Sequence, residues 1–433
     1  MGKRVRLRLL ATNDLLGSFH PWPTAYGFLP GGNAIRATVD RFRSQGPALW
    51  ADAGDFAQGG VIATRTNGLG GFIAMDSLEP DVAVAGNHEF DWGTPTARAG
   101  ARRLRAPLLC ANYPGSGLAA TAVFQVAGVS VGVVGCTTPD LFRLVREPAA
   151  DLVDVAVTIQ RASRCLHSDG CDMVFAIVHD GVDWKPRRGG VRVLPRRFAG
   201  AIAPWASSVD AIVAGHTLGR WIGTVCGTPV VQPWAFGQEV GVVEFDDELR
   251  PTRVYGVTPG PSSPWDGFGA DLIKAATNEV IGVLPRPMRN QPGVDSSLPR
   301  YVAAAMARQH GSDAGIFGCW EMATGQPPID GTLAYLGAGD VSEADVLRLV
   351  PYLDDSIVEV LLSREELDRL RQRTDLAVWT RDDTGEGPLR VAVTRYSSAN
   401  LPVEIGRDPI VEPVPTGVRE SLRSALHQMG RRV

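Results

Sequence analysis

Val82-Ala83-Val84-Ala85-Gly86-Asn87-His88-Glu89-Phe90-Asp91 is the stretch from which the rest of this chain is best read. A short apolar run stops at a glycine and is followed at once by Asn, His and Glu, then Asp. A run of that length, bounded by a turn signal, reads as a strand buried on both faces. Its end delivers metal-ligating and titratable side chains just beyond the strand's carboxyl terminus.

The same grammar recurs along the first half. Leu7–Thr12 runs out into Asn13 and Asp14, and Ala48–Ala51 into Asp52-Ala53-Gly54-Asp55. Met173–Val178 ends at His179-Asp180-Gly181, and Ala211–Ala214 at Gly215-His216-Thr217. Further apolar runs lie at Pro107–Cys110 and Val129–Gly135, with helix-like stretches at Asn33–Ser44 and Val155–His167. Buried strands joined by helices predict an α/β fold with a layered sheet. In open α/β sheets, ligands collect at the carboxyl ends of the strands. Corners carrying Asp14, Asp55, Asn87, His179 and His216 therefore predict one metal site of hard or borderline character.

The composition agrees with a folded enzyme-sized chain. Its 433 residues are 44% hydrophobic and 21% charged, which excludes a disordered or collagen-like protein. A formal net charge of −4 argues against nucleic acid or an anionic membrane as partner. Of 43 basic residues 40 are Arg, a bias that follows GC-rich coding. No apolar run is long enough to span a bilayer. Met1–Asp14 lacks the features of a secretory signal and reads as the first strand. The six cysteines are scattered without a CxxC, the pattern of buried thiols in a reducing compartment, so a cytoplasmic location is expected.

Proline and glycine concentrate at Thr258–Trp265 and Leu284–Gly293, marking 257–293 as a linker between a catalytic domain, 1–256, and a smaller α+β domain, 294–433. The second domain reads as helices at Leu298–Gln309, Ser342–Leu349, Arg364–Arg373 and Val418–Met429, with strands at Ile357–Leu362 and Arg390–Thr394. Ser363 followed by Glu366 is a capping-box signature.

The set Asp14, Gly54-Asp55, Gly86-Asn87-His88-Glu89, His179 and Gly215-His216 resembles the calcineurin-like metallophosphoesterases. Ala11-Thr12-Asn13-Asp14 and Gly86-Asn87-His88-Glu89-Phe90-Asp91 narrow the likeness to the 5′-nucleotidase/UDP-sugar hydrolase branch. Leu298–Met306, Val341–Pro351 and Ile357–Leu367 are similar to that branch's C-terminal substrate domain. The resemblance implies a four-layer α/β/β/α catalytic domain that holds two metals. It implies Asp55 as bridging ligand, with Asn87, His179 and His216 completing one metal site and Asp14 in the other. It further implies His88 as the catalytic histidine and Asp91 as its orienting partner.

The chain departs from that pattern in one place twice. Where the family writes Asp-x-His, this sequence has Asp14-Leu15-Leu16; where it writes Gly-His-x-His, or Gln in place of the second His, this sequence has Gly215-His216-Thr217-Leu218. Both losses fall in the same metal site, and leucine cannot ligate. His20 and Arg220 are candidates to replace the lost groups. In the second domain, the family's Asn-x-Gly-Gly-Ile/Val-Arg segment corresponds to Gly318-Cys319-Trp320-Glu321-Met322-Ala323, without the glycine pair or the Arg, and the Gly-Gly-Asp-Gly segment is missing near Ser397–Leu401. Trp320 and Trp379 are either ring-stacking or structural.

The expectation is a metal-dependent hydrolase of the 5′-nucleotidase type. It uses one divalent transition metal (Mn, Fe or Zn) on a small phosphorylated metabolite. Two alternatives stand beside it: an inactive nucleotide- or metal-binding relative, and a mononuclear metalloenzyme with different chemistry on a nucleotide-derived metabolite.

Overall fold

The computed structural model describes residues 4–24, 27–145, 151–187, 190–261, 263–290, 296–321, 335–351, 355–399 and 401–430. Two six-stranded sheets face each other within residues 7–257. The first has the order Pro251–Val257, Val240–Phe245, Leu7–Thr12, Ala48–Asp52, Val82–Val84, Leu108–Leu109. The second has the order Trp221–Val225, Thr228–Gln232, Ala211–Ala214, Met173–Val178, Val129–Cys136, Thr121–Val126.

The two-residue alternation of a strand explains the layering. Leu7, Leu9 and Ala11 bury against Val131, Val133, Phe175, Ile177 and Val213 of the facing sheet. Leu10, on the other face, joins Ile35, Val39 and Phe42 of the helix Gly32–Gln45. In the second sheet, Met173, Phe175 and Ile177 face inward, while Val174, Ala176 and Val178 meet the helices Val155–Ser168 and Arg196–Ala206. Every central strand is thus buried on both sides, giving four layers, α/β/β/α. Phe175 and Phe245 stack across the two sheets, with centroids 5.6 Å apart and planes 21° off parallel.

The strands Leu7–Thr12, Ala48–Asp52 and Val82–Val84 run parallel to one another, as do Met173–Val178 and Ala211–Ala214. Parallel strands end on one edge, so the polar corners read from the sequence all emerge together.

Residues 257–293 contain the helix Ala270–Asn278 and the strand Val280–Leu284, which pairs antiparallel with Gly339–Ser342. The helix lies between Gly60–Arg65 and Glu343–Leu349 and so joins the two halves of the chain. Beyond it, a five-stranded sheet has the order Leu376–Thr380, Ala314–Gly318, Leu389–Thr394, Ser356–Leu362, Val411–Gly417. Ser297–His310 and Val418–Gly430 cover one face, and Arg364–Arg371 and Leu401–Ile405 the other. Ser363 and Glu366 form the capping box their spacing predicts. All six cysteines are free thiols; Cys110, Cys136, Cys171 and Cys319 are buried as expected, whereas Cys165 and Cys226 are exposed. No helix among the described residues is long and apolar enough to cross a membrane.

Candidate metal centre

The corners are laced together by their backbones before any side chain is considered. Asp14 N–H donates to the Gly54 carbonyl, Leu16 N–H to the Asp55 carbonyl and Ala53 N–H to the Thr12 carbonyl. Asp14, Asp55 and His216 all sit at positive φ, at 49°, 60° and 73°. Non-glycine residues adopt this region rarely, and its recurrence at strand ends marks a shape imposed by the site. Gly86 has a different reason to be glycine. A Cβ there would lie 2.2 Å from Asp55 Oδ1 and 2.7 Å from His179 Nε2.

Asp55, His179 and His216 present ligand atoms that all lie within 4.8 Å of one another. His179 Nδ1 is 2.6 Å from the Ala53 carbonyl, to which it must donate. That hydrogen bond leaves Nε2 as the nitrogen turned toward Asp55, the arrangement by which a backbone acceptor sets a metal-binding tautomer; with no cation beside it, burial is outweighed by Asp55, which lifts His179 to about 9, so a metal would take the place of that proton. Nε2 lies 2.9 Å from Asp55 Oδ2, yet it is buried and makes no aligned hydrogen bond. Asn87 Oδ1 is likewise buried without a partner. Orphaned buried acceptors are rare and call for a missing partner. A carboxylate, two imidazoles and an amide oxygen suit a borderline divalent cation.

Electrostatics separates the three histidines. Burial, with neighbouring His179 and further help from His88 and Arg197, pushes His216 down to about 3 against the pull of Asp55, so it stays neutral. Burial also opposes the charged form of His88, but Asp91 and Asp55 outweigh it and lift His88 to about 10. Its Nδ1 is 2.8 Å from Asp91 Oδ2, and its Nε2 faces Asp55 Oδ2 at 3.9 Å. Burial raises Asp55, but His179, His88 and His216 overcome this and hold it ionised, below the usual carboxylate range.

Asp14 is held differently. Asn13 Nδ2 donates to its Oδ2 at 2.6 Å, and His216 N–H donates to both oxygens at 2.8 and 3.1 Å. Burial, reinforced by Asp55, raises it to about 7 against the opposing His179, Asn13 and His216 N–H.

Glu89 has a role that motif reading missed. Its carboxylate accepts from the N–H groups of Asp55, Phe56, Ala57 and Gly86 at 2.6–2.9 Å. Asp55 Oδ1 in turn accepts from His88 N–H at 2.9 Å. One buried side chain therefore fixes two corners at once. The only sequence signal was an acid that no ligand role required.

The profile of the calcineurin-like phosphoesterase family matches residues 7–220. This stretch is a calcineurin-like phosphoesterase domain. The chain is 28% identical over 253 residues to 5′-nucleotidase of Rattus norvegicus, covering 50% of this chain and 41% of that protein. It is 24% identical over 419 residues to Protein UshA of Yersinia enterocolitica, covering 81% of this chain and 73% of that one. Its fold is shared with a 5′-nucleotidase precursor from Thermus thermophilus, at TM-score 0.74 and 20% identity, over 98% of this chain and 96% of that chain. The matched region spans less than half the length of the first curated relatives, from 19% to 45%.

Within the phosphoesterase domain, Leu16 and Leu218 stand where ligands were expected. Both keep positive φ, at 44° and 57°. Both pack into the helix-side core, alongside Leu15 and Phe236. The backbone corner survives while hydrocarbon fills its ligand positions. Arg220 is clamped by Glu239, with Nε–Oε2 at 2.8 Å and Nη2–Oε1 at 2.7 Å. His20 Nδ1 accepts from Trp265 N–H at 3.4 Å, and its ring lies edge-on to Trp22. Each of these two candidates is thus engaged by a neighbour outside the ligand cluster.

In the second half, Arg308 lies over the Trp379 ring at 4.9 Å, a structural use of that residue. The Trp320 side chain and residues 322–323 lie outside the described residues. Glu321 accepts from Gly318 N–H at 3.0 Å and from Ser397 Oγ, tying together the two segments that depart from the nucleotidase pattern.

Proposed function

We propose that this protein is a metal-dependent phosphoric ester hydrolase that acts on a nucleotide or a related small phosphorylated metabolite. The observation that carries the reading is the juxtaposition of the Asp55–His179–His216 cluster with the cationic His88–Asp91 pair. Asp55, His179, His216 and the orphaned Asn87 Oδ1 would hold one divalent transition metal, Mn, Fe or Zn, with Asp14 beside them. Such an ion lowers the pKa of bound water from about 15.7 toward about 7 and offsets phosphate charge.

The chain's own groups do the rest. His88 keeps a proton on Nδ1 for Asp91, and its Nε2–H, on the Asp55 side of the ring, would donate to a phosphoryl or leaving-group oxygen. Asp91 fixes the ring plane and sustains the positive charge. Glu89 keeps the two corners from spreading as charge shifts. Leu16 and Leu218 support a single-metal site, because neither offers a donor atom and both occupy ligand positions. Slow turnover of simple phosphomonoesters follows, since the two-ion clamp is weakened. Six free thiols support a reducing, cytoplasmic setting for the enzyme.

Elemental analysis of purified protein, followed by a phosphate-release screen over nucleotides and p-nitrophenyl phosphate, tests this reading. About one metal equivalent per chain, with metal-dependent phosphate release, is expected. Metal binding without release from any ester would leave an inactive binding protein in its place.

A further inference from the structure

His179 and His216 follow adjacent parallel strands, Met173–Val178 and Ala211–Ala214, so the loops beyond them run side by side. Thr228–Gln232 pairs parallel with Ala211–Ala214 on its other side and ends at the same edge, on Gln232.

Gln232 is fully buried, a place where an amide needs a partner for each polar atom. Its Oε1 accepts from Val182 N–H at 2.9 Å. Its Nε2 donates to Thr217 Oγ1 at 3.0 Å and, at longer range, to the Gly215 carbonyl at 3.4 Å. Thr217 Oγ1 in turn donates to the Val182 carbonyl at 2.7 Å. The bonds close on themselves: Val182 to Gln232, Gln232 to Thr217, Thr217 back to Val182. A backbone N–H only donates and a carbonyl only accepts, so the ring fixes which end of the amide faces which loop. An amide suits this place because one end accepts and the other donates.

The ring joins the loops of two candidate ligands. Val182 stands three residues beyond His179, and Thr217 is the residue after His216. Gly215 N–H also donates to the Asp180 carbonyl at 3.1 Å, tying the same loops beside the histidines. The fit is close: a Cβ at Gly181 would lie 2.3 Å from Gln232 Oε1 and 2.4 Å from the Gly215 carbonyl oxygen.

The two histidines depend on this ring unequally. His179 is turned by its own bond to the Ala53 carbonyl. Among the described residues the His216 imidazole makes no hydrogen bond; its backbone N–H binds Asp14, and its φ is 73°. The imidazole of His216 is therefore aimed by its loop, and Gln232 holds that loop through Thr217 and Gly215. The two rings end with centroids 5.0 Å apart and planes inclined at 59°.

We propose that Gln232, acting through Thr217, is a positioning residue of the metal centre, holding the His216 loop against the His179 loop so that both imidazoles meet one ion. The inference rests on the metal-binding part of the hydrolase reading and not on turnover. Residues that orient metal ligands from behind carry about 10- to 100-fold of metal affinity.

The test uses the full chain with cobalt(II) as probe, because its visible absorption follows the number and angles of its ligands. Gln232→Glu keeps the side chain's shape but, ionised, presents an acceptor where Thr217 needs a donor. Thr217→Val removes the hydroxyl at similar shape, and Thr217→Ser restores it. Gln232→Glu and Thr217→Val should each weaken cobalt affinity by about 10- to 100-fold in competition with a chelator, and should move the visible bands. Thr217→Ser should recover both. Wild-type affinity and spectrum in Gln232→Glu and Thr217→Val, with the urea midpoint alone lowered, would make the ring an element of the fold and overturn the proposal. The Thr217 variants decide the matter if Gln232→Glu does not fold, because Thr217 is half-buried. Wild type that takes up no cobalt overturns the metal centre and this role with it. Wild type that binds cobalt and releases no phosphate, with the variants weakened, supports the positioning role and removes only the hydrolase reading.

Discussion

His88 and Asp91 are joined at 2.8 Å between Nδ1 and Oδ2 across one turn of 3-10 helix, Nδ1 on the side away from Asp55. The pair sits beside the Asp55–His179–His216 cluster and is not one of its three members. Replacing His88 by Asn should lower turnover by about 10² to 10⁴, the range of one acid–base group. Metal content should stay at the wild-type value. Parallel loss of metal and activity in elemental analysis and steady-state kinetics would place His88 among the ligands instead.

Leu16 and Leu218 keep the left-handed backbone of the corners they occupy. Leu16→His with Leu218→His returns two imidazoles to those corners. The double variant should take up a second metal equivalent and gain activity on AMP or p-nitrophenyl phosphate, because a second ion restores the two-metal clamp. One equivalent in the double variant would show that the surrounding loops no longer present these positions to the site.

Glu89 accepts four backbone N–H groups from two corners. Glu89→Ala leaves these buried donors unmade, at about 1–3 kcal/mol for a group left unsatisfied. We expect about 3 kcal/mol or more of lost stability in urea, together with weakened metal retention. A variant of wild-type stability and metal content would reduce Glu89 to a bystander.

Phe175 is fully buried and stacks on Phe245 between the two sheets. Phe175→Ala should destabilise the protein by about 3–5 kcal/mol, the range for large-to-small changes in a core. A shift under about 1 kcal/mol, the scale of a surface substitution, would show that the inter-sheet layer closes around the gap.

Arg407 binds both oxygens of Glu366 at 2.7 and 2.8 Å, and its hydrogen bonds hold that carboxyl down to about 2, against burial. A depressed carboxyl contributes stability that is complete above its unfolded value, 4.5, and is lost as pH falls toward 2. Glu366→Gln keeps a side chain able to cap the helix but removes the ion pair. Its urea midpoint should lie below wild type at pH 7 and converge with it near pH 2. A gap that persists unchanged into acid would assign the effect to the cap alone.

The layered α/β half was legible because the apolar runs that bear the site end at polar or glycine corners, and because central strands need both faces apolar. The candidate residues Asp55, Asn87, His179 and His216 were legible for the same reason: parallel strands deliver their ends to one edge. The capping box at Ser363 was readable too, since it depends only on spacing. What spacing does not encode is burial and reach. Three histidines of one type become a neutral base at His216, a cation at His88 and a ring held on the Ala53 carbonyl at His179, through neighbours up to 161 residues away. Glu89 meets Asp55 only because two corners fold over the same carboxylate. The departures at Leu16 and Leu218 were visible as letters. Their packing against one hydrophobic cluster was decided by tertiary structure, because residues 202 positions apart reach the same core only once both strands have entered their sheets.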